Sequence, residues 1–209
     1  MFVNSKMACR LCGTSGSLVE MISFNGFPKA AQFLPSESEL KNDVPVKLSA
    51  VECTYCGLVQ LTNKPVFYYK DVITAASLTG VSRKKLSKEF EDIIMKFSLK
   101  DVQMLEIGSG DGQFLSVLRE LGLKAQGLEH SHANVEKAES KGLNIAQGYL
   151  LDNPKMDKKF GFIICNNFME HQPDIKKFLR KIHGALAPKG FVYISVPNLQ
   201  RIVEKACFY

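Results

Sequence analysis

Two rhythms of apolar and polar residues run through the second half of this chain. From Val102 the run VQMLEI is almost wholly apolar; it stops at the turn GSGDG and resumes as QFLSVL, with apolar residues at helical spacing. That order reads as a buried strand, a tight turn and a helix start. Repetition of the pattern predicts strand 102–107, helix 112–121, strand 124–128, helix 132–141, strand 143–147, strand 160–166, helix 174–187 and strand 190–196. Strands alternating with helices build a doubly wound parallel α/β sheet, whose ligand crevice borders the C-terminal strand ends. Upstream, Leu86, Phe90, Ile93, Ile94 and Phe97 mark the core stripe of a helix from about Ser82 to Phe97.

The first 62 residues are organised by cysteine. Cys9-x-x-Cys12 (CRLC) and Cys53-x-x-Cys56 (CTYC) are each followed directly by glycine, Gly13 and Gly57. Such a turn aims two sulfurs at one point, and four thiolates suit Zn²⁺ best. The forty residues between the pairs exceed ribbon spacing, so they must hold structure of their own, and SFNGFPKAAQFLPSESEL, with Phe24, Phe27, Phe33 and Leu34, is expected to cover the knuckles. A redox dithiol is the competing reading; it needs a helix start after a strand and no twin. The chain thus divides into a zinc-binding domain (1–62), a linker with a helix (63–100) and a ligand-binding core (101–209).

Length and composition bound the rest. With 209 residues, 45% of them hydrophobic, a sizeable core can be buried. No apolar stretch approaches membrane-spanning length and no signal-peptide pattern opens the chain, so a cytoplasmic protein without a membrane partner is expected. The net charge of +6 is spread over helical stretches such as SRKKLSKEF and DIKKFLRKI, a solvated face and not a nucleic-acid patch. Six cysteines in such a chain argue for metal and against disulfides. Cys165, inside a predicted strand, reads as a small hydrophobe, and Cys207 has no partner in sequence.

The glycine turn carries the chemistry. Gly108, Gly110 and Gly112 remove side chains, so a ligand can approach the backbone and the N–H groups that open the next helix. Glu106 just upstream disfavours phosphates and favours a ligand bearing an amino group. A dinucleotide fingerprint requires glycine three places after the second, where this chain has Gln113. Some twenty residues on, LKAQGLE ends in Glu129, where an acid can accept both ribose hydroxyls.

EIGSGDG followed by GLEHS resembles the first two motifs of the class I S-adenosylmethionine (SAM)-dependent methyltransferases. CRLCG, FPKAAQFLP and VECTYCGLVQL are similar to the N-terminal zinc-binding domain of the sugar C-methyltransferases among them. FGFIICNNFMEHQPD resembles the family segment F-D-x-I-x-x-x-N-x-x-E-H, with Gly161 in place of the aspartate. The resemblance implies a Rossmann-like sheet and SAM held by Glu106, Gly108, Ser109, Gly110, Asp111, Gly112, Glu129, Tyr149 near adenine, and Asn167 on the methionine side. It also implies zinc on Cys9, Cys12, Cys53 and Cys56, and methyl transfer to carbon of a small, sugar-nucleotide-like substrate. Tyr69 and His171 are the substrate-side candidates. For the pair Tyr68 and Tyr69 two readings stand, lining a cleft or packing the linker; His171 is equally readable as structural. Asp71, Thr74 and Ser77 fall near a serine-rich stretch of the family, from which Ala75 and Ala76 depart.

A family sheet has seven strands, whereas this sequence supplies five. The expectation is therefore a core truncated after the fifth strand, with a missing C-terminal segment or a partner covering the apolar strand 190–196. The family's base-bearing segment would follow Phe208, so cofactor binding is expected to outlast turnover. Three rivals remain: an RNA or DNA methyltransferase, an NAD enzyme, and a zinc-stabilised binding module with an incomplete methyltransferase half.

Overall fold

The computed structural model describes residues 7–29, 35–66, 78–152 and 158–205. Two compact units emerge, one on Met1–Val72, the other on Ile73–Tyr209 apart from Pro173–Lys176, which group with the first. Among the described residues no helix is long and apolar enough to cross a membrane.

The first unit is an antiparallel sheet of order β1-β2-β3, from β1 (Leu18–Phe27), β2 (Val46–Cys53) and β3 (Val59–Leu61). SFNGF, expected as a cover, is the outer half of β1, with Ser23 opposite Ser49 and Phe27 opposite Val46. Phe24 and Phe27 pair with each other at 5.8 Å. The apolar residues that enclose the cysteines are Leu18 and Val51, with Met7, Leu11 and Leu58 around them. Strand alternation explains the difference: Leu18 and Val51 fall on the inward face beside the knuckles, whereas the phenylalanines lie at the far end of the hairpin. Phe33 and Leu34 lie outside the described residues, as does the stretch containing Tyr68, Tyr69, Asp71, Thr74, Ala75, Ala76 and Ser77; so does Cys207.

The second unit opens with α1 (Gly80–Phe97), started by Thr79, whose hydroxyl accepts the Ser82 N–H at 3.2 Å, and ended by Ser98 in the left-handed region at φ 54°. Phe90 and Ile94 are buried, and Phe90 meets Phe114 edge-on at 4.7 Å. Phe97 departs from the expected stripe. At the helix end it is 41% exposed and packs on Phe191 at 4.9 Å.

Then follow β4 (Met104–Ile107), α2 (Gln113–Glu120), β5 (Ala125–Glu129), α3 (His132–Ser140), β6 (Ile145–Gln147), β7 (Phe160–Asn166), α4 (Ile175–Ala185), β8 (Leu186–Ser195) and α5 (Leu199–Lys205). The strands form one parallel sheet, β6-β5-β4-β7-β8, the doubly wound arrangement the sequence predicts. The central strand β4 is buried at all four positions, as a strand covered on both faces must be. Met104, Phe114, Leu115, Leu118, Phe162 and Ile164 anchor the core with α1.

β8 begins earlier than the sequence suggests. Leu186 already pairs with Phe160, and a register shift then carries the strand to Phe191 opposite Phe162. It forms one edge of the sheet, and Phe191, Val192, Ile194 and Val196 are each 36–47% exposed. At the start of β7, a Cβ on Gly161 would stand 2.7 Å from the Cβ of Val102, so the glycine found in place of the family aspartate gives room to the core.

Candidate functional site

β4, β5 and β7 end side by side, and the residues singled out by the sequence follow those ends. Glu106 on β4 lies opposite Gly127 of β5 and Ile164 of β7. It is 4% exposed and its Oε2 has no hydrogen-bond partner among the described residues. Burial, reinforced by the charge of Glu129, holds its carboxyl well above the usual carboxylate range. Ser109 Oγ and Asp111 Oδ1 are likewise buried without partners among the described residues, so three unsatisfied polar atoms gather around one turn. Such a group invites a polar ligand, because each atom sacrifices hydration while unpaired.

Glu129 ends β5 in a different state of satisfaction. Its Oε2 accepts the Gly110 N–H and its Oε1 the Ser131 N–H, both at 2.9 Å. The acid thus fastens the turn to the strand and starts α3, with acceptor capacity left on each oxygen. Gly108 N–H adds a bond to the Leu128 carbonyl at 2.9 Å.

The glycines of the turn serve the protein's own packing as well as any ligand. At Gly108 (φ +73°) a Cβ would stand 2.2 Å from the Phe168 ring, and at Gly112 (φ +80°) 2.3 Å from Leu143 Cδ1. Both have the left-handed backbone that favours glycine, and Gly110 shares it at φ 54°. Lys141, at the end of α3, grips the turn by donating to the Asp111 carbonyl at 2.7 Å and its Oδ2 at 3.0 Å.

Past β6, Tyr149 is buried and donates its hydroxyl to Gln172 Oε1, and Gln172 Nε2 donates to the Phe168 carbonyl at 3.2 Å. This chain holds the Phe168 ring on Gly108. Tyr149 therefore has a ring, and not a free hydroxyl, to offer toward a ligand; that ring lies edge-on to His130 at 6.0 Å. Asn167 follows β7 with φ 47°, its N–H bonded to the Ser195 carbonyl at 3.0 Å and its side chain exposed. His171 sits in a short 3-10 turn, 3.9 Å from Glu170, with its side chain 45% exposed. Burial raises the carboxyl of Glu170. Tyr69 lies outside the described residues.

In the first unit the four cysteines converge. The Sγ atoms of Cys9, Cys12, Cys53 and Cys56 all lie within 4.8 Å of one another, with Cys9–Cys56 at 3.6 Å and Cys12–Cys53 at 3.7 Å. Tetrahedral zinc at 2.3 Å from each sulfur requires S–S separations of about 3.8 Å, so the donor set fits the ion. Each knuckle closes on its glycine: Gly13 N–H bonds the Cys9 carbonyl at 2.9 Å and Gly57 N–H the Cys53 carbonyl at 2.8 Å. The Ser17 hydroxyl, 3.3 Å from Cys53 Sγ, holds that thiol down to about 6, in the range where a thiolate forms readily. Arg10 braces the first knuckle to β3, its N–H donating to Gln60 Oε1 at 2.8 Å.

Phe168, Gln172, Lys141 and Ser17 were not legible as site residues in the sequence. Each acts across a gap that only strand order closes, except that Phe168 follows Asn167 directly and could have been marked by that neighbour.

Comparison with known proteins sharpens the picture. The methyltransferase domain family matches residues 82–206. The chain is similar to the C-methyltransferase NovU of Streptomyces niveus, at 24% identity over 96% of this chain and 49% of that protein. It is also similar to the ubiquinone biosynthesis O-methyltransferase of Pelagibacter ubique, at 27% identity over 56% of this chain and 50% of that protein. The chain spans about half the length of the curated relatives it matches. Among solved structures, an S-adenosylmethionine-dependent methyltransferase from Clostridium acetobutylicum aligns with a TM-score of 0.51 at 19% identity, over 66% of this chain and 58% of that one. The plantazolicin methyltransferase BpumL, in complex with a desmethyl analogue and SAH, aligns with a TM-score of 0.52 at 19% identity, over 60% of this chain and 51% of that one.

Proposed function

The chain belongs to the methyltransferase domain family, and from that premise we propose that it binds SAM at the ends of β4, β5 and β7 and directs its methyl group to carbon of a small, sugar-nucleotide-like substrate. The observation that carries this reading is the arrangement of one buried, unsatisfied acid, Glu106, and one anchored acid, Glu129, on either side of a turn of left-handed glycines.

SAM, when bound, supplies a methyl group on a positively charged sulfonium. The chain's own part is then mostly alignment. Glu106 faces the amino end, directly or through water; the turn from Gly108 to Gly112 admits the ligand with Ser109 and Asp111 as polar contacts. Glu129 uses its remaining acceptor capacity on the ribose hydroxyls, the Tyr149 ring covers the adenine side, and Asn167 closes the methionine side. For a carbon acceptor, removal of a proton beside a keto group gives an enolate able to attack the methyl. His171, the exposed imidazole at the crevice, is the base candidate among the described residues, with Tyr69 as a further substrate-side residue.

Carbon is preferred to oxygen because the similarity to the C-methyltransferase runs through 96% of the chain and so takes in the cysteine unit, whereas the O-methyltransferase match covers 56%. Cys9, Cys12, Cys53 and Cys56 hold one zinc ion in this reading, as a structural tie for the first unit.

Calorimetric titration with S-adenosylhomocysteine (SAH) tests the cofactor site; saturable binding is expected, and its absence overturns the reading. The acceptor is tested by incubating the chain with a keto-sugar nucleotide in D₂O. Exchange of the hydrogen next to the keto group, abolished in His171→Ala, supports carbon; no exchange, with label from methyl-labelled SAM appearing on oxygen, refutes it.

A further inference from the structure

Glu106 and Glu129 share one corner of the crevice in unlike states. Both oxygens of Glu129 accept backbone N–H groups, the environment an ionised carboxylate prefers. Glu106, 4% exposed, has no such partner for its Oε2 among the described residues. An ionised carboxylate there would be desolvated, uncompensated and beside a like charge.

Among the described residues no cation is paired with it. β5 contributes Glu129, and beyond it His130, whose ring lies against Tyr149. β7 contributes Ile164 in register with Glu106, and next to it Cys165, whose thiol burial pushes up to about 12 and so keeps neutral. The glycine turn contributes Asp111, which holds Lys141 to itself. α2 turns Phe114, Leu115, Val117 and Leu118 inward, all apolar. Ser109 Oγ, itself unpaired, lies over Gly127, the residue opposite Glu106 in register.

We infer that Glu106 carries its proton in the empty site and releases it when a ligand bearing an ammonium group binds, which makes it the residue by which the pocket selects a cationic ligand. This rests on the SAM reading above. An arriving ammonium supplies the missing partner for Oε2 and the opposite charge that the corner lacks, so the carboxyl ionises and its proton leaves to solvent. The ligand keeps its own proton, and the balance is one proton released per ligand bound. A ligand without the ammonium offers no such exchange.

Calorimetry of SAH binding to the full chain, in two buffers of different ionisation enthalpy, counts that proton. Release approaching one per site is expected from just above the ordinary carboxylate range up to the raised value of the Glu106 carboxyl, with affinity rising by up to about tenfold per pH unit across that window. 5′-Methylthioadenosine, which lacks the amino-acid part, should bind with no release. Glu106→Gln should bind SAH at least about tenfold more weakly, with no release and a flat pH profile. Infrared difference spectra of the unsubstituted protein give a second readout, since the carbonyl band of the protonated acid should vanish as SAH is added. SAH binding without proton release and without loss of that band overturns the inference while leaving the cofactor reading intact. Failure of SAH to bind at all overturns both.

Discussion

Glu129 Oε2 accepts the backbone N–H of Gly110 at 2.9 Å, joining the end of β5 to a turn 19 residues earlier in the chain. A residue expected to clamp a ligand is thereby also a fastener of the loop that receives it, and the two roles can be separated by experiment.

Glu129→Gln keeps one acceptor oxygen and should retain the fold with a modest loss, whereas Glu129→Ala leaves the buried Gly110 N–H and the half-buried Ser131 N–H without an acceptor. The alanine variant should lose about 1–3 kcal/mol of stability, read by urea denaturation of the second unit. SAH affinity should fall in both variants, and the zinc content should change in neither.

Gly108 gives a sharper test of packing. Gly108→Ala places a methyl group against the Phe168 ring and forces a left-handed backbone on an L residue. A loss of at least about 1–3 kcal/mol is expected. Adding Phe168→Ala should recover the steric part of that loss and not the backbone part, so a double-mutant cycle should show coupling between the two sites.

Stability should also depend on pH through Glu106. Its carboxyl is raised in the folded state by burial, then by Glu129. Stability from such a group is fully present below its unfolded value of about 4.3 and is lost as pH rises through the folded value. Glu106→Gln lacks this dependence. Its stability relative to the parent protein should therefore increase as pH rises toward neutrality, measured as urea midpoints across that range; a constant difference would count against a protonated Glu106.

Metal removal tests the first unit. Elemental analysis should find about one zinc per chain, and chelation should unfold β1, β2 and β3, since structural zinc contributes on the order of 10 kcal/mol of folding free energy. The helical signal of the second unit should persist. Cys53→Ser should act like chelation, because it removes the thiol that Ser17 supports.

Much of the core was legible in the sequence. VQMLEI and LKAQGLE became β4 and β5 within two residues of the expected bounds: the first is the mostly apolar run a doubly covered parallel strand needs, ended by Gly108, and the second is marked by its place one helix after the glycine turn. The two C-x-x-C pairs likewise announced a four-sulfur cluster. The strands β1, β2 and β3 were not legible, because all three are partly exposed and the Asn25-Gly26 turn signal falls inside β1 and not between two strands.

By itself the sequence determined the periods of the elements, the acids at the ends of β4 and β5, and the two knuckles, because each is a local matter of side-chain spacing or permitted φ. Only the tertiary structure decided that Gly108 yields to Phe168 and Gly112 to Leu143, that Tyr149 spends its hydroxyl on Gln172, and that Cys9 meets Cys56 while Cys12 meets Cys53. Most of those partners lie tens of residues apart, and which of them meet follows from strand order and register, quantities that no local pattern encodes.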